Sequence, residues 1–178
     1  AMPVAESLAE RVLARLRDVP DFPRPGILFK DVTPLLGDAE LFREVTGAIA
    51  APFAGIGVTH VAGIESRGFI FGAPVAQELG AGFVPLRKPG KLPARVRQER
   101  YALEYGTDSL EAHDDACVGG RVLVVDDVLA TGGTLGAACR LVEGVGGEVV
   151  GCSVLLTLGF LEGRRTIAPV AARGGLAR

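Results

Sequence analysis

Residues 121–135 read Arg-Val-Leu-Val-Val-Asp-Asp-Val-Leu-Ala-Thr-Gly-Gly-Thr-Leu, and no other stretch restricts the fold so tightly. Residues 122–125 are consecutive aliphatic residues, the pattern of a parallel strand buried on both faces. The run stops at two adjacent carboxylates, Asp126 and Asp127. Burying an unpaired charge is costly, so both are expected at the mouth of a cleft, at the strand's carboxyl end, where open α/β sheets bind ligands. Thr131-Gly132-Gly133-Thr134 comes next, and then Leu135, Ala138, Cys139 and Val142 at helical spacing. Hydroxyls and unpaired backbone N–H groups at a helix start form a cradle for phosphate. The order of strand, acidic pair, glycine turn and helix predicts a βα unit.

The rest of the chain keeps the alternation. Residues 7–19 carry Leu8, Val12, Leu13 and Leu16 on one helical face, with Ser7 as N-cap. Residues 39–51 and 68–79 read as helices, and 59–64, 83–86 and 149–158 as strands. Residues 21–34 hold Pro23, Pro25 and Pro34, which predicts a rigid irregular segment with a short extended piece. Residues 87–97 are basic and broken by Pro89, Gly90 and Pro93, the signature of a loop, and 96–105 are suited to an edge hairpin with the residues immediately after them. Strands alternating with helices predict an α/β fold with a mostly parallel twisted sheet flanked by helices. At 178 residues and 48% apolar content, one domain over 1–178 is expected.

Composition narrows the function classes. A net charge of −2 gives no overall basic character for nucleic-acid binding. No apolar run approaches membrane-spanning length and no signal peptide is visible, so neither membrane nor export is expected. Cys117, Cys139 and Cys152 form no C-x-x-C pair and read as buried reduced thiols, which suits the cytoplasm. The dinucleotide fingerprint, the Walker A loop, G-x-S-x-G and H-E-x-x-H are all missing. His60 falls in a predicted strand and His113 in a polar stretch, positions that suit structural or solvated roles. What remains is a strand edge with carboxylates for a polyol and a nearby cup for a phosphate, two groups that ribose 5-phosphate carries at that separation.

The 121–134 stretch resembles the phosphoribosyl-diphosphate (PRPP) signature of the phosphoribosyltransferases. Four further blocks resemble the adenine-using members, in the same order and with similar spacing. They are Phe22-Pro23-Arg24-Pro25-Gly26-Ile27-Leu28-Phe29-Lys30-Asp31, Glu65-Ser66-Arg67-Gly68-Phe69, Arg87-Lys88-Pro89-Gly90-Lys91-Leu92-Pro93 and Leu103-Glu104-Tyr105-Gly106. The resemblance implies transfer of ribose 5-phosphate from PRPP to N9 of adenine, giving AMP and pyrophosphate. It also implies a small base-binding hood over 1–35, a flexible lid over 87–106 and a homodimer. Asp126 and Asp127 would bind the ribose hydroxyls and favour the cationic transition state. Ala130, Thr131, Gly132, Gly133 and Thr134 would hold the 5′-phosphate. Ser66, Arg67, Arg87, Lys88 and Lys91 would meet the pyrophosphate, together with Mg²⁺ bound through phosphate oxygens and water rather than directly to protein. A cis peptide at Glu65-Ser66 is expected, as is an Arg87 that reaches across the dimer interface. A solvated basic loop is the plainer alternative for 87–91.

Glu104, between the lid tyrosines Tyr101 and Tyr105, matches the acid/base group near the purine. Members using 6-oxopurines carry an aspartate where this chain has Ala130, so the acid/base group must come from elsewhere. Backbone groups near Leu28 and Lys30 would read the adenine edge, since hypoxanthine reverses donor and acceptor there. Phe29 either stacks on the purine or is an ordinary core aromatic. Lys30 stands where many members have arginine. Rival readings are a phosphoribosyltransferase for another base, a non-enzymatic PRPP-sensing regulator and a PRPP synthetase. Ala130 and the first block disfavour the first. The shortness of the segment before the core disfavours the second, and the third needs an ATP site and a longer chain.

Overall fold

The computed structural model describes residues 6–103, 106–129 and 133–157. The chain divides into two compact units, Ala1–Ala48 and Ile49–Arg178.

In the first unit, α1 (Leu8–Arg15) starts at Ser7, whose side chain accepts the Glu10 N–H while the Glu10 carboxylate accepts the Ser7 N–H, a reciprocal capping box. The helix is shorter than the expected 7–19. Pro20 cannot continue a helix and biases Val19 to extended backbone, so β1 (Arg17–Pro20) instead pairs antiparallel with β2 (Leu28–Asp31). The turn between them is tied by the Gly26 N–H donating to Asp21 Oδ1 at 2.7 Å, and Gly26 takes a positive φ of 84° that suits a residue without Cβ. A short α2 (Thr33–Leu36), started by Pro34, was not expected from the sequence. The expected second helix is α3 (Ala39–Ala50). Val12, Val32, Leu35, Leu41 and Val45 are buried.

The second unit holds the parallel sheet. Its strands are β3 (His60–Ile64), β4 (Gly82–Leu86), β7 (Arg121–Leu129) and β8 (Glu148–Thr157), in the order β4-β3-β7-β8. All neighbouring pairs are parallel. Two helices make the crossovers, α4 (Arg67–Leu79) from β3 to β4 and α5 (Gly133–Gly144) from β7 to β8. The period of two along each strand sorts the core. Ala62, Ile64, Val84, Leu86, Val122 and Val124 join the cluster with Leu135, Ala138 and Leu141 of α5. Val61, Gly63, Phe83, Leu123 and Val125 share the opposite face by register. There α4 packs so closely that a Cβ on Gly63 would lie 2.8 Å from the Gly68 carbonyl oxygen. Residues 122–125 are fully buried, as the aliphatic run requires.

The hairpin of β5 (Val96–Leu103) and β6 (Gly106–His113) is antiparallel and packs on α5. Residues 96–103 of the expected lid segment 87–106 are therefore regular strand. Arg87 and Glu111 exchange backbone hydrogen bonds of 2.9 and 2.7 Å, which joins the hairpin to the end of β4. The three cysteines carry free thiols, and Cys117 and Cys139 are buried. Among the described residues, no helix is long and apolar enough to cross a membrane.

Candidate active site

The strand order sets where a ligand can enter. From β3 the chain crosses outward to β4, and from β7 it crosses the other way to β8. The two connections leave the carboxyl ends of β3 and β7 in opposite directions, and the crevice between them is a topological switch point. Glu65, Ser66 and Arg67 come directly after β3 there. The acidic pair was expected just past a strand ending at Val125. It lies within β7, which runs on to Leu129 because β8 keeps pairing as far as Thr157. β3 pairs only up to Val125, so Asp126 and Asp127 stand where the neighbouring strand has given out. This opens the sheet at the two carboxylates without ending their strand.

The first turn of α4 presses on this edge. A Cβ on Gly68 would lie 3.0 Å from the Val125 carbonyl oxygen and 3.2 Å from Asp126 Oδ1. Gly68→Ala should therefore push Ser66 and Arg67 away from the acidic pair and lower turnover about 10- to 100-fold. Comparison of kcat with the unfolding midpoint checks this, because simple destabilisation would move the midpoint and leave kcat unchanged.

Asp127 is 4% exposed, and Arg67 Nε lies 2.7 Å from its Oδ2. The N–H does not point along that line, so among the described residues this buried oxygen accepts no hydrogen bond. Asp126 accepts the Asp127 N–H through Oδ1 at 2.8 Å. Burial pushes the Asp126 carboxyl up to about 8, the adjacent Asp127 charge adds to this, and Arg67 only partly opposes it. Asp126 thus holds a proton near neutral pH, while Asp127 is paired with Arg67.

A raised carboxyl contributes stability below its unfolded value, and that contribution is lost as pH rises through the folded one. In Asp126→Asn the loss disappears. Between pH 5 and pH 9 the midpoint of the Asn variant should gain about 5 °C or more on that of the parent, measured by calorimetry without ligand. An equal midpoint difference at both pH values would refute the assignment.

The basic loop is organised by a carboxylate that sequence reasoning did not single out. Glu65 Oε1 accepts from Arg87 Nε at 2.8 Å and from the Lys88 N–H at 3.4 Å, and Oε2 pairs with Lys91 Nζ. Burial disfavours the Glu65 charge, but the bonds from Lys91 and Arg87 outweigh it and hold the carboxyl below its ordinary value. Arg87 and Lys91 are thus brought together beside Ser66 and Arg67. The only signal for Glu65 was its place in the Glu-Ser-Arg block. The Glu65-Ser66 peptide is cis, as expected. Ser66 is the N-cap of α4, and its side chain makes no capping bond.

Other expected site residues divide by location. Gly133 and Thr134 open α5, at the same sheet edge as the start of α4. Ala130, Thr131, Gly132, Glu104 and Tyr105 lie outside the described residues. Tyr101 is 6% exposed and belongs to the core cluster. In the first unit, Leu28, Phe29 and Lys30 lie in β2, whose outer edge has no strand partner among the described residues. Phe29 meets Phe22 edge-on at 5.2 Å, and Lys30 pairs with Asp18 at 2.5 Å. Among the described residues, no cluster of three or more His, Cys, Asp or Glu side chains is arranged to hold a metal ion.

Comparison with known proteins bears on this geometry. The profile of the phosphoribosyl transferase domain matches residues 39–169. The adenine phosphoribosyltransferase of Myxococcus xanthus (strain DK1622) is 64% identical over 151 residues, which cover 84% of this chain and 82% of that protein. The crystal structure of adenine phosphoribosyltransferase from Rhodothermus marinus DSM 4252 superposes with a TM-score of 0.85 at 55% identity, covering 89% of this chain and 90% of that one. That of the Saccharomyces cerevisiae adenine phosphoribosyltransferase, complexed with an imino-altritol bisphosphate and adenine, gives 0.84 at 38% identity, covering 89% and 93%.

Proposed function

The chain belongs to the adenine phosphoribosyltransferase family, and we propose that it transfers the 5-phosphoribosyl group from PRPP to N9 of adenine, releasing pyrophosphate and leaving AMP. The observation that carries this reading is the acidic pair at the switch point, Asp127 buried and Asp126 half-buried, flanked by the starts of two helices, α4 and α5. Two helix N-termini at one sheet edge suit a substrate with phosphate at both ends. The yeast relative complexed with adenine and a sugar bisphosphate analogue supports the same pairing of ligands.

The chemistry follows from the charges. As the C1–O bond breaks, the ribose ring becomes cationic. Asp127 and a deprotonated Asp126 would stabilise that charge while they bind the ribose hydroxyls. Gly133 and Thr134, with Ala130, Thr131 and Gly132, would hold the 5′-phosphate. Ser66, Arg67, Arg87 and Lys91 would receive the departing pyrophosphate. Glu104 would handle the proton at the purine, and the backbone of Leu28 and Lys30 would read the adenine edge. A backbone contact suits a Lys30 whose ammonium is taken by Asp18.

Mg²⁺ fits the site indirectly. The cleft keeps Asp126 protonated and leaves the buried Asp127 Oδ2 without a hydrogen bond, yet offers no all-protein cage among the described residues. Bound through pyrophosphate oxygens and water, the ion would neutralise the leaving group. A homodimer and a cytoplasmic location belong to the same reading.

The test is to mix the protein with Mg²⁺, PRPP and each purine or pyrimidine base in turn, and to identify the nucleotide made. AMP as the main product supports the proposal. IMP, GMP, XMP or OMP in its place, or no pyrophosphate release with any base, overturns it.

A further inference from the structure

Lys88 sends its side chain away from the Glu65 fork. Its ammonium donates to the Tyr101 hydroxyl oxygen at 2.5 Å and pairs with the Asp108 carboxylate. The Tyr101 O–H donates to the same Asp108 oxygen at 3.2 Å, and the other Asp108 oxygen accepts the Ser109 N–H at 2.8 Å. Tyr101 and Asp108 are direct cross-strand partners in the β5–β6 hairpin. The Tyr101 ring belongs to the same core cluster as Leu86, Leu110 and Leu135. One ammonium therefore joins the segment after β4 to both strands of the hairpin, at a point anchored in the core. Glu104 lies in the connection between those strands, between Leu103 and Gly106.

We propose that Lys88 is a strut rather than a pyrophosphate ligand. With Asp108 and Tyr101 it is a positioning group that fixes the root of the hairpin whose connection carries Glu104. The inference rests on the reading that this site transfers a phosphoribosyl group to adenine. Resemblance alone had grouped Lys88 with Arg87 and Lys91, but the geometry separates them. Arg87 and Lys91 share Glu65 beside Ser66 and Arg67, whereas Lys88 spends two of its three donors on the hairpin. To reach a ligand it would have to leave a partly desolvated carboxylate, which is costly. Burial disfavours the Lys88 charge, but the bonds to Asp108 and Tyr101 outweigh it and raise its pKa, while Asp108 is lowered chiefly by Lys88.

The experiment is a double-mutant cycle on the full chain with Lys88→Met and Asp108→Asn. It reads kcat for AMP formation and the inhibition constant of pyrophosphate. The strut predicts that each single variant lowers kcat about tenfold and that the double variant is no worse than either. Pyrophosphate inhibition should stay within about twofold throughout, and Asp108→Glu should recover most of the rate. A tenfold weaker pyrophosphate inhibition in Lys88→Met but not in Asp108→Asn overturns the proposal, as do additive effects on kcat. Should either variant fail to fold, Tyr101→Phe keeps the ring in the core and removes only the hydroxyl. An unchanged kcat in Tyr101→Phe would then overturn the proposal, and a lowered kcat with pyrophosphate inhibition intact would support it. The parent's own product separates the two claims. A parent that makes no AMP defeats the functional reading, whereas one that makes AMP while the cycle is additive defeats only the strut.

Discussion

Asp127→Asn is expected to lower kcat about 10²- to 10³-fold, equivalent to about 3–4 kcal/mol of transition-state stabilisation. Asparagine fills the same volume, so the buried site keeps its packing, but the negative charge is gone. The ground state is neutral at C1, and only the transition state carries the ring cation. The loss should therefore fall on kcat rather than on KM for PRPP. Arg67 loses this ion-pair partner, but its side chain is 41% exposed and can be rehydrated, so the unfolding midpoint should move little. Steady-state kinetics with saturating adenine, beside a thermal melt, separates the two effects. A kcat within about fivefold of the parent would show that this carboxylate does not face the developing cation.

Glu104→Leu is expected to cost about 10²- to 10⁴-fold in kcat, by a different route. A purine that gains a bond at N9 must lose a proton, and Ala130 removes the aspartate that serves 6-oxopurine enzymes. The informative reading is the pH profile. If Glu104 moves the proton, the limb of kcat against pH that reports its carboxyl disappears in the variant and the residual rate becomes flat there. A slower enzyme with the parent's profile would mean that Glu104 only supports the hairpin connection. The two substitutions thus differ in signature as well as in size, since Asp127→Asn should keep the limb that reports Glu104 and, by removing the neighbouring charge, move any limb that reports Asp126 to lower pH.

Much of the architecture was legible because it is local. Four consecutive aliphatic residues before an acidic pair and a glycine turn point to a strand covered on both sides, and 122–125 are buried accordingly. The pattern 68–79 gave α4 within one residue, and 59–64 and 83–86 gave β3 and β4. Errors came where a distant partner decides the outcome. Residues 17–19 leave the expected helix and, with Pro20, pair with β2, although Pro20 is a readable warning. β7 outran its apolar run because β8 extends beside it. Tyr101 was grouped with the lid because it sits near Glu104 in sequence, yet its ring lies in the core.

By itself the sequence determined the order of strands and helices, the placement of two carboxylates and a glycine turn on one βα unit, and through its motif blocks the chemistry to test. Only the tertiary structure decided which charges meet. Glu65 finds Arg87 and Lys91, 22 and 26 residues away, and Lys88 finds Asp108, 20 residues away. It also decided that Asp126 holds its proton to about pH 8. The reason is the range of the forces. Backbone preference and hydrophobic periodicity act over a few residues and can be read in a short window. Desolvation and charge pairing depend on distance and on the surrounding medium, and these exist only once strands remote in sequence have been laid side by side.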